Sequence, residues 1–209
     1  IFIGAVPADK KPRPKMDSGA GLCGIGGCAV MPADMKHIIA SAFVDMTREK
    51  GIDKITVKSL IDACNISRQT FYYHFQDIME VIEWAVEQAT KSTLARGLEA
   101  ETPEDALSVL ITSATENGTL IRRLLDSQKR AQIEKLFVQA SRTFLQEFIR
   151  NRPQKLSLNY SDMEVALDFW AFGISGLLLK YSEQDHIDAK ALACQIYHLL
   201  PGKIENNPK

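Results

Sequence analysis

The sequence predicts an all-α chain, with an N-terminal three-helix domain followed by a larger helical domain. Three observations predict it. Apolar residues recur at spacings of three and four from Met35 to Leu200. The stretches open on helix-start residues, such as Asp77 with Glu80 three positions on, and Thr102 before Pro103. No stretch alternates apolar and polar residues in the manner of a strand, and no internal repeat is present.

Residues 1–32 differ from the rest. They hold Pro7, Pro12 and Pro14, a basic cluster (Lys10, Lys11, Arg13, Lys15) and a Gly-rich run from Gly19 to Gly27. Such composition reads as a flexible or non-native N-terminal extension, with Met31 a sensible start and a basic arm reaching toward DNA the alternative. The glycines do not form a phosphate-binding loop, because no Gly-Lys-Ser/Thr follows them.

The first helix carries Ile38, Ile39, Ala42, Phe43 and Met46 and stops at Gly51. Thr56 opens a short helix with Val57, Leu60 and Ile61, and Ser67 opens another through Phe75. Asp77 starts a long helix past Trp84 to about Leu98, and Thr102-Pro103 starts the next. Leu120 to Leu125 is a short apolar helix after Gly118, and Ile133 to Ile149 is amphipathic through Leu136, Phe137, Ala140, Phe144, Leu145 and Phe148. Pro153 interrupts the pattern. Ser161 or Asp162 caps a helix through Leu179, and Asp185 or Asp188 leads a last one to Leu200, before Pro201-Gly202. The expected domains are residues 33–80 and 81–209.

The totals exclude several classes. With 45% apolar and 24% charged residues, the 209-residue chain is globular. Its most apolar run, Phe169 to Leu179, is well short of the roughly 20 residues a bilayer requires, so no membrane partner is expected. Ile1 to Val6 is too short for a signal-peptide core, and a cytoplasmic location is the expectation. Cys23, Cys28, Cys64 and Cys194 form no CxxC pair, so reduced thiols are expected and neither a metal nor a cofactor. His37, His74, His186 and His198 lack nucleophile or carboxylate partners at a telling spacing, which argues against an enzyme.

The informative segment runs from Thr56 to Phe75. Two short helices flank Cys64-Asn65-Ile66, a turn that lets the second cross the first steeply. Asn65 sits where the chain commonly needs positive φ. Leu60, Ile61, Ala63, Ile66, Phe71 and Phe75 form the expected core, above Ile39, Phe43 and Ile55. Arg68, Gln69, Thr70, Tyr72, Tyr73 and His74 then face outward. Arg and Gln pair with purine edges in the major groove, while Thr, Tyr and His suit phosphate oxygens. Thr56 places a hydroxyl and a helix N-terminus against a phosphate. Between Lys36 and Phe75 six basic residues face four acidic ones, a local charge of about +2. The plainer reading makes the same helices part of an ordinary bundle with half-buried aromatics.

The wording of this segment resembles the DNA-binding domain of the tetracycline-repressor family. Its Ser-x-x-Thr-hydrophobic-Tyr-Tyr-His-Phe run stands here as Ser67-Arg68-Gln69-Thr70-Phe71-Tyr72-Tyr73-His74-Phe75, followed by Asp77. The resemblance covers about a quarter of the chain, Met35 to Trp84. It implies that Lys58, Arg68, Gln69, Thr70, Tyr72 and Tyr73 touch bases and nearby backbone, and Thr56 and His74 phosphate. Two departures stand out: Asn65 replaces the usual turn Gly, and Ile78 replaces a phosphate-binding Lys. Asn65 to Asp77 also resembles regulators of dihydroxyacetone kinase operons, some of which lack an evident small-molecule pocket and take their signal from a partner protein.

Two jobs are expected of the remaining two-thirds: dimerisation and sensing. One recognition helix reads few bases, so a homodimer on palindromic double-stranded DNA is expected. Phe169, Phe172, Gly173, Gly176 and Leu177, with Tyr197 on the last helix, are the interface candidates. The alternative makes the same helix internal core, because it is apolar nearly all round. The resemblance implies an intersubunit four-helix bundle from the last two helices of each subunit. Residues between Trp84 and Phe148 would line any pocket, with Arg122 and Arg123 available to an anion or simply solvated; the effector itself, small molecule or protein, is not specified. The resemblance further implies a repressor released by that signal. The rival reading is a co-regulator or adaptor of the same fold, acting through a protein partner with little DNA binding.

Overall fold

The structure is a computed structural model that describes residues 32–151, 159–181 and 188–199. Those residues form α1 (Pro32–Lys50), a 3₁₀ turn (Ile52–Lys54), α2 (Val57–Cys64), α3 (Arg68–His74), α4 (Ile78–Leu98), α5 (Pro103–Glu116), α6 (Gly118–Leu125), α7 (Arg130–Arg150), α8 (Tyr160–Tyr181) and α9 (Ala189–Leu199). The architecture is all-α, with no strand among the described residues. Nearly all of the 1–32 segment, Pro153, Asp185, Ile187 and Leu200 lie outside them.

Capping chemistry sets the helix starts. The Asp77 carboxylate accepts from the Glu80 amide at 3.0 Å, while the Glu80 carboxylate accepts from the Gln76 amide, one residue before the usual partner. Thr102 accepts from the Asp105 amide at 3.1 Å, with Pro103 at the first helical position. The α8 cap is Asn159, whose side-chain oxygen accepts from the Asp162 amide at 2.9 Å. It is neither Ser161 nor Asp162; both are already inside the helix, because the Asn159 side chain reaches the orphan amide first. Asp188 caps α9 through the Lys190 and Ala191 amides.

α4 is the spine. It packs on α5 and α7; α7 carries α8, and α5 carries α9. Gly97 allows the close approach of α4 to α7, since a Cβ there would meet the Phe144 ring at 3.1 Å. On the surface, Arg142 of α7 donates to Asp168 of α8 at 2.7 Å and pairs with Glu164, which sets their register more than it adds stability.

Two apolar cores result. The first joins α1, α2 and α3 to the start of α4 and to α6, around Ile39, Phe43, Leu60, Phe71, Phe75 and Leu124. Truncating one of its phenylalanines to Ala removes about 3–5 kcal/mol. The second joins α5, α7, α8 and α9 around Ile111, Leu145, Trp170, Ala171 and Ile196. The buried stripe of α1 is Ile39, Ala40, Phe43, Val44 and Thr47, one position round from the expected one, and Ile38 is exposed. Ala63 is exposed as well, because α2 turns only Leu60 fully inward.

Candidate DNA interface and its coupling to the helical domain

The turn between α2 and α3 is built on Asn65, at φ 51° and ψ 48°. Its amide donates to the Asp62 carbonyl at 3.3 Å, and the Ile66 amide donates to the Ile61 carbonyl at 3.1 Å. This pair of bonds closes a helix C-terminus around a left-handed residue. Ile66 then packs half-buried on the first core. The turn therefore needs no glycine, since Asn tolerates the left-handed region.

α3 is held by one face and free on the other. Phe71 and Phe75, one helical turn apart, are fully buried. Arg68, Gln69, Tyr72 and Tyr73 are exposed. The Arg68 guanidinium lies 5.6 Å from the Tyr72 ring, so the two side chains brace each other at i,i+4. Thr70 is half-buried, and its amide donates to the Ser67 hydroxyl at 3.0 Å. The two hydroxyls are also bonded at 2.8 Å, so one hydroxyl proton of the pair is left to donate outward.

At the start of α2, the Thr56 hydroxyl accepts from the Ser59 amide at 3.1 Å, and the Ser59 hydroxyl accepts from the Thr56 amide at 3.0 Å. This reciprocal cap keeps Thr56 at the helix N-terminus with its own hydroxyl proton unused by the cap. Lys58 is exposed one residue into the helix.

His74 is half-buried against the edge of Tyr73. Burial, with help from the nearby Lys36 ammonium, pushes its imidazole pKa down, so at neutral pH it offers a hydrogen bond without charge. Lys36 lies 5.0 Å from the Phe75 ring centroid. Ile78 is half-buried against the first core. Cys64, on α2, has its thiol pushed up by burial, away from the reactive thiolate. Among the described residues no three His, Cys, Asp or Glu side chains come together to hold a metal ion. Nor is any helix among them long and apolar enough to cross a membrane.

Among the described residues, nothing covers one face of α8. Phe169 is 74% exposed and Phe172 66%, beside the exposed Gly173 and Gly176. Val165 (68% exposed) extends the same row at i−4 from Phe169, a residue that sequence reasoning missed although the spacing signals it. Trp170 turns inward; Leu177 and Tyr197 are half-buried at the edge of the second core.

Between the two cores lies a cavity of about 140 Å³. Phe137 and Phe144 line it, within the expected stretch, whereas Trp84, Arg122 and Arg123 do not. Trp84 instead sits edge-on to His37 and Phe75. The wall also takes Phe43 and Val44 from α1 and Ser175 and Leu178 from α8. Those contributions come from outside the expected stretch, and only the folded chain brings them together.

Comparison with known proteins agrees with this geometry. Residues 39–83 match the family described as bacterial regulatory proteins, tetR family. The chain is 25% identical over 129 residues to the HTH-type dhaKLM operon transcriptional activator DhaS of Lactococcus lactis subsp. lactis (strain IL1403), over 62% of this chain and 68% of that protein. Among solved structures, it is similar to a dihydroxyacetone kinase operon activator DhaS, with TM-score 0.61 and 21% identity over 79% of this chain and 93% of that one. It is also similar to a TetR transcriptional regulator from Streptococcus agalactiae 2603V, with TM-score 0.58 and 18% identity over 81% and 94%. At those identities the structural likenesses speak for a shared fold. The matched segment spans most of α1 to the first turns of α4, with the exposed α3 face at its centre, so over residues 39–83 the chain carries a segment of the family described as bacterial regulatory proteins, tetR family.

Proposed function

We propose that a homodimer of this chain reads a palindromic operator, with α3 of each subunit in the major groove. The observation that carries the reading is the exposed row Arg68, Gln69, Tyr72 and Tyr73 on a helix whose opposite face is locked by Phe71 and Phe75. Arg68 and Gln69 are the base readers, while Lys58, Tyr73 and the α2 start at Thr56 engage the backbone, with Ser67, Thr70 and His74 supporting the recognition helix at its two ends. The exposed row on α8 is the dimer surface, with Gly173 and Gly176 admitting a close helix crossing: a Cβ at either would meet nothing within 4 Å among the described residues.

The test is a titration of fluorescent DNA from upstream of the chain's own gene, with wild type and with Arg68→Ala plus Tyr72→Ala. Saturable binding that resists competitor DNA and is lost in the double variant supports the reading; each lost base contact removes about 1–3 kcal/mol. Failure of a folded dimer to bind any sequence selected from random DNA at low salt would sink it.

The sign of control is repression by occlusion in the family sense, with release by a signal that moves the two DNA-binding domains out of register. The likeness to DhaS, named as an activator, supports the opposite sign. Reporter transcription from the operator decides: a fall on adding the chain is repression, a rise activation. One observation favours a protein-acting adaptor instead, namely the apolar, half-buried Ile78 at the position of a phosphate-binding cation. Operator affinity without a steep inverse dependence on salt would favour that adaptor.

A further inference from the structure

We propose that Cys194 and His198 of α9 form a two-ligand site for a borderline-soft divalent cation of the zinc type, with the remaining coordination positions open to water. The inference stands apart from the regulatory reading above. Neither side chain belongs to the α3 face, to the α8 row or to the cavity wall.

The backbone brings the pair together. α9 runs from Ala189 to Leu199, and residues four apart on a helix stand one turn above one another on the same face. Leu192, Ala193 and Ile196 take the buried side, by which α9 rests on α5. Cys194 and His198 take the other side, and both are exposed. Of the two free thiols among the described residues, Cys64 is half-buried on α2 and Cys194 is open to solvent.

Distance and atom type fit a metal. The Cys194 Sγ lies 3.6 Å from the His198 Nδ1. With zinc–sulfur and zinc–nitrogen bonds of about 2.3 and 2.0 Å, the sulfur–nitrogen edge of a tetrahedron is about 3.5 Å. The pair therefore stands at chelating separation without any movement of the backbone. Thiolate and imidazole are ligands that zinc accepts, whereas calcium and magnesium take oxygen. The expectation of no metal rested on the absent CxxC pair; this spacing of four is a different one.

One bond is exchanged on binding. The His198 Nδ1 also lies 2.6 Å from the Cys194 carbonyl oxygen, to which it donates when it carries the ring proton. With a cation present, the ring proton resides on Nε2 and the Nδ1 lone pair turns from the carbonyl to the metal. The thiol proton goes to solvent. A neutral imidazole stays neutral, so one proton is released for each cation bound.

Two protein ligands define an open site. Among the described residues, no third His, Cys, Asp or Glu side chain joins the pair. Water completes the shell, as it does where a zinc site is not closed by protein. Chelation across one turn also ties residues 194 to 198 in helical form. It thereby holds the end of α9, a short helix that depends on its packing against α5.

Cobalt(II) is the spectroscopic probe and zinc the competitor, on the full chain kept reduced with a phosphine. Cobalt should give a thiolate-to-metal charge-transfer band that saturates at about one cobalt per chain and is displaced by zinc. The band should survive Cys64→Ser, survive Cys23→Ser with Cys28→Ser, and vanish in Cys194→Ser. His198→Gln keeps the thiol and should weaken zinc binding about tenfold or more, since loss of even an outer-shell partner costs that much. Zinc should raise the Tm of the wild type and not that of Cys194→Ser. Both α9 substitutions lie on the exposed face, and circular dichroism equal to the wild type's confirms the fold. A band that persists in folded Cys194→Ser, zinc affinity indifferent to His198→Gln, an equal rise in Tm without the thiol, or no band at millimolar cobalt would each overturn the proposal. Saturation at one cobalt per two chains would overturn the open site, giving the positions of water to a second copy.

Discussion

Replacing Phe169 and Phe172 together by Ser should convert the dimer to monomer without unfolding the protomer. In the protomer these rings are 74% and 66% exposed, so their substitution leaves both cores intact. Fully burying a Phe side chain is worth about 2 kcal/mol. Scaled by exposure, two such rings contribute about 3 kcal/mol per subunit and about 6 kcal/mol per symmetric pair. At 1.4 kcal/mol per factor of ten, dimer affinity should fall by about four orders of magnitude. Sedimentation equilibrium across nanomolar to micromolar protein measures this directly, with circular dichroism confirming that helix content is kept. Operator affinity should fall with it, because a lone subunit holds one half-site. A folded variant that dimerises as tightly as wild type would refute the assignment of this face and send the search for the interface elsewhere.

Asn65→Val should destabilise the chain by about 1–2 kcal/mol, since a β-branched residue resists the left-handed backbone. At about 2–4 °C per kcal/mol for a domain of this size, Tm should drop by about 2–8 °C, whereas Asn65→Gly should hold or raise it; equal Tm values for all three would refute the turn geometry. Ile78→Lys should restore a phosphate contact and steepen the slope of log K against log salt by about one; an unchanged slope would place α4's start away from DNA. His74 has a pKa depressed below its unfolded value, so its contribution to stability is complete above about pH 6.5 and lost as pH falls through the folded value. The fall in Tm across that window should shrink in His74→Gln, and an identical pH profile for the two proteins would contradict the burial that causes the shift.

Much of the N-terminal domain was legible because its signals are local. Thr56, Ser67 and Asp77 cap the helices they were expected to start, and the left-handed Asn65 follows from the short side chain that tolerates it. The outward face of α3 follows from Phe71 and Phe75, whose four-residue spacing assigns one side to the core and leaves the other for contact. The same reasoning slipped where periodicity is ambiguous. In α1 the apolar pairs Ile38–Ile39 and Phe43–Val44 fit two stripes about 100° apart, and packing against α2, α4 and α6 selects the one with Ile39 and Val44.

Helix type, helix order and the outward face of α3 were therefore determined by the sequence alone, since each depends on residues within a few positions of one another. The burial of Trp170 beside the exposure of Phe169 and Phe172, and the cavity joining α1 to α8, were decided only by tertiary structure. Helix α8 is apolar nearly all round, so its own sequence does not say which side faces in; α7 does, by covering one side and leaving the other open. A cavity is the space that several helices fail to fill together, and no single helix encodes it.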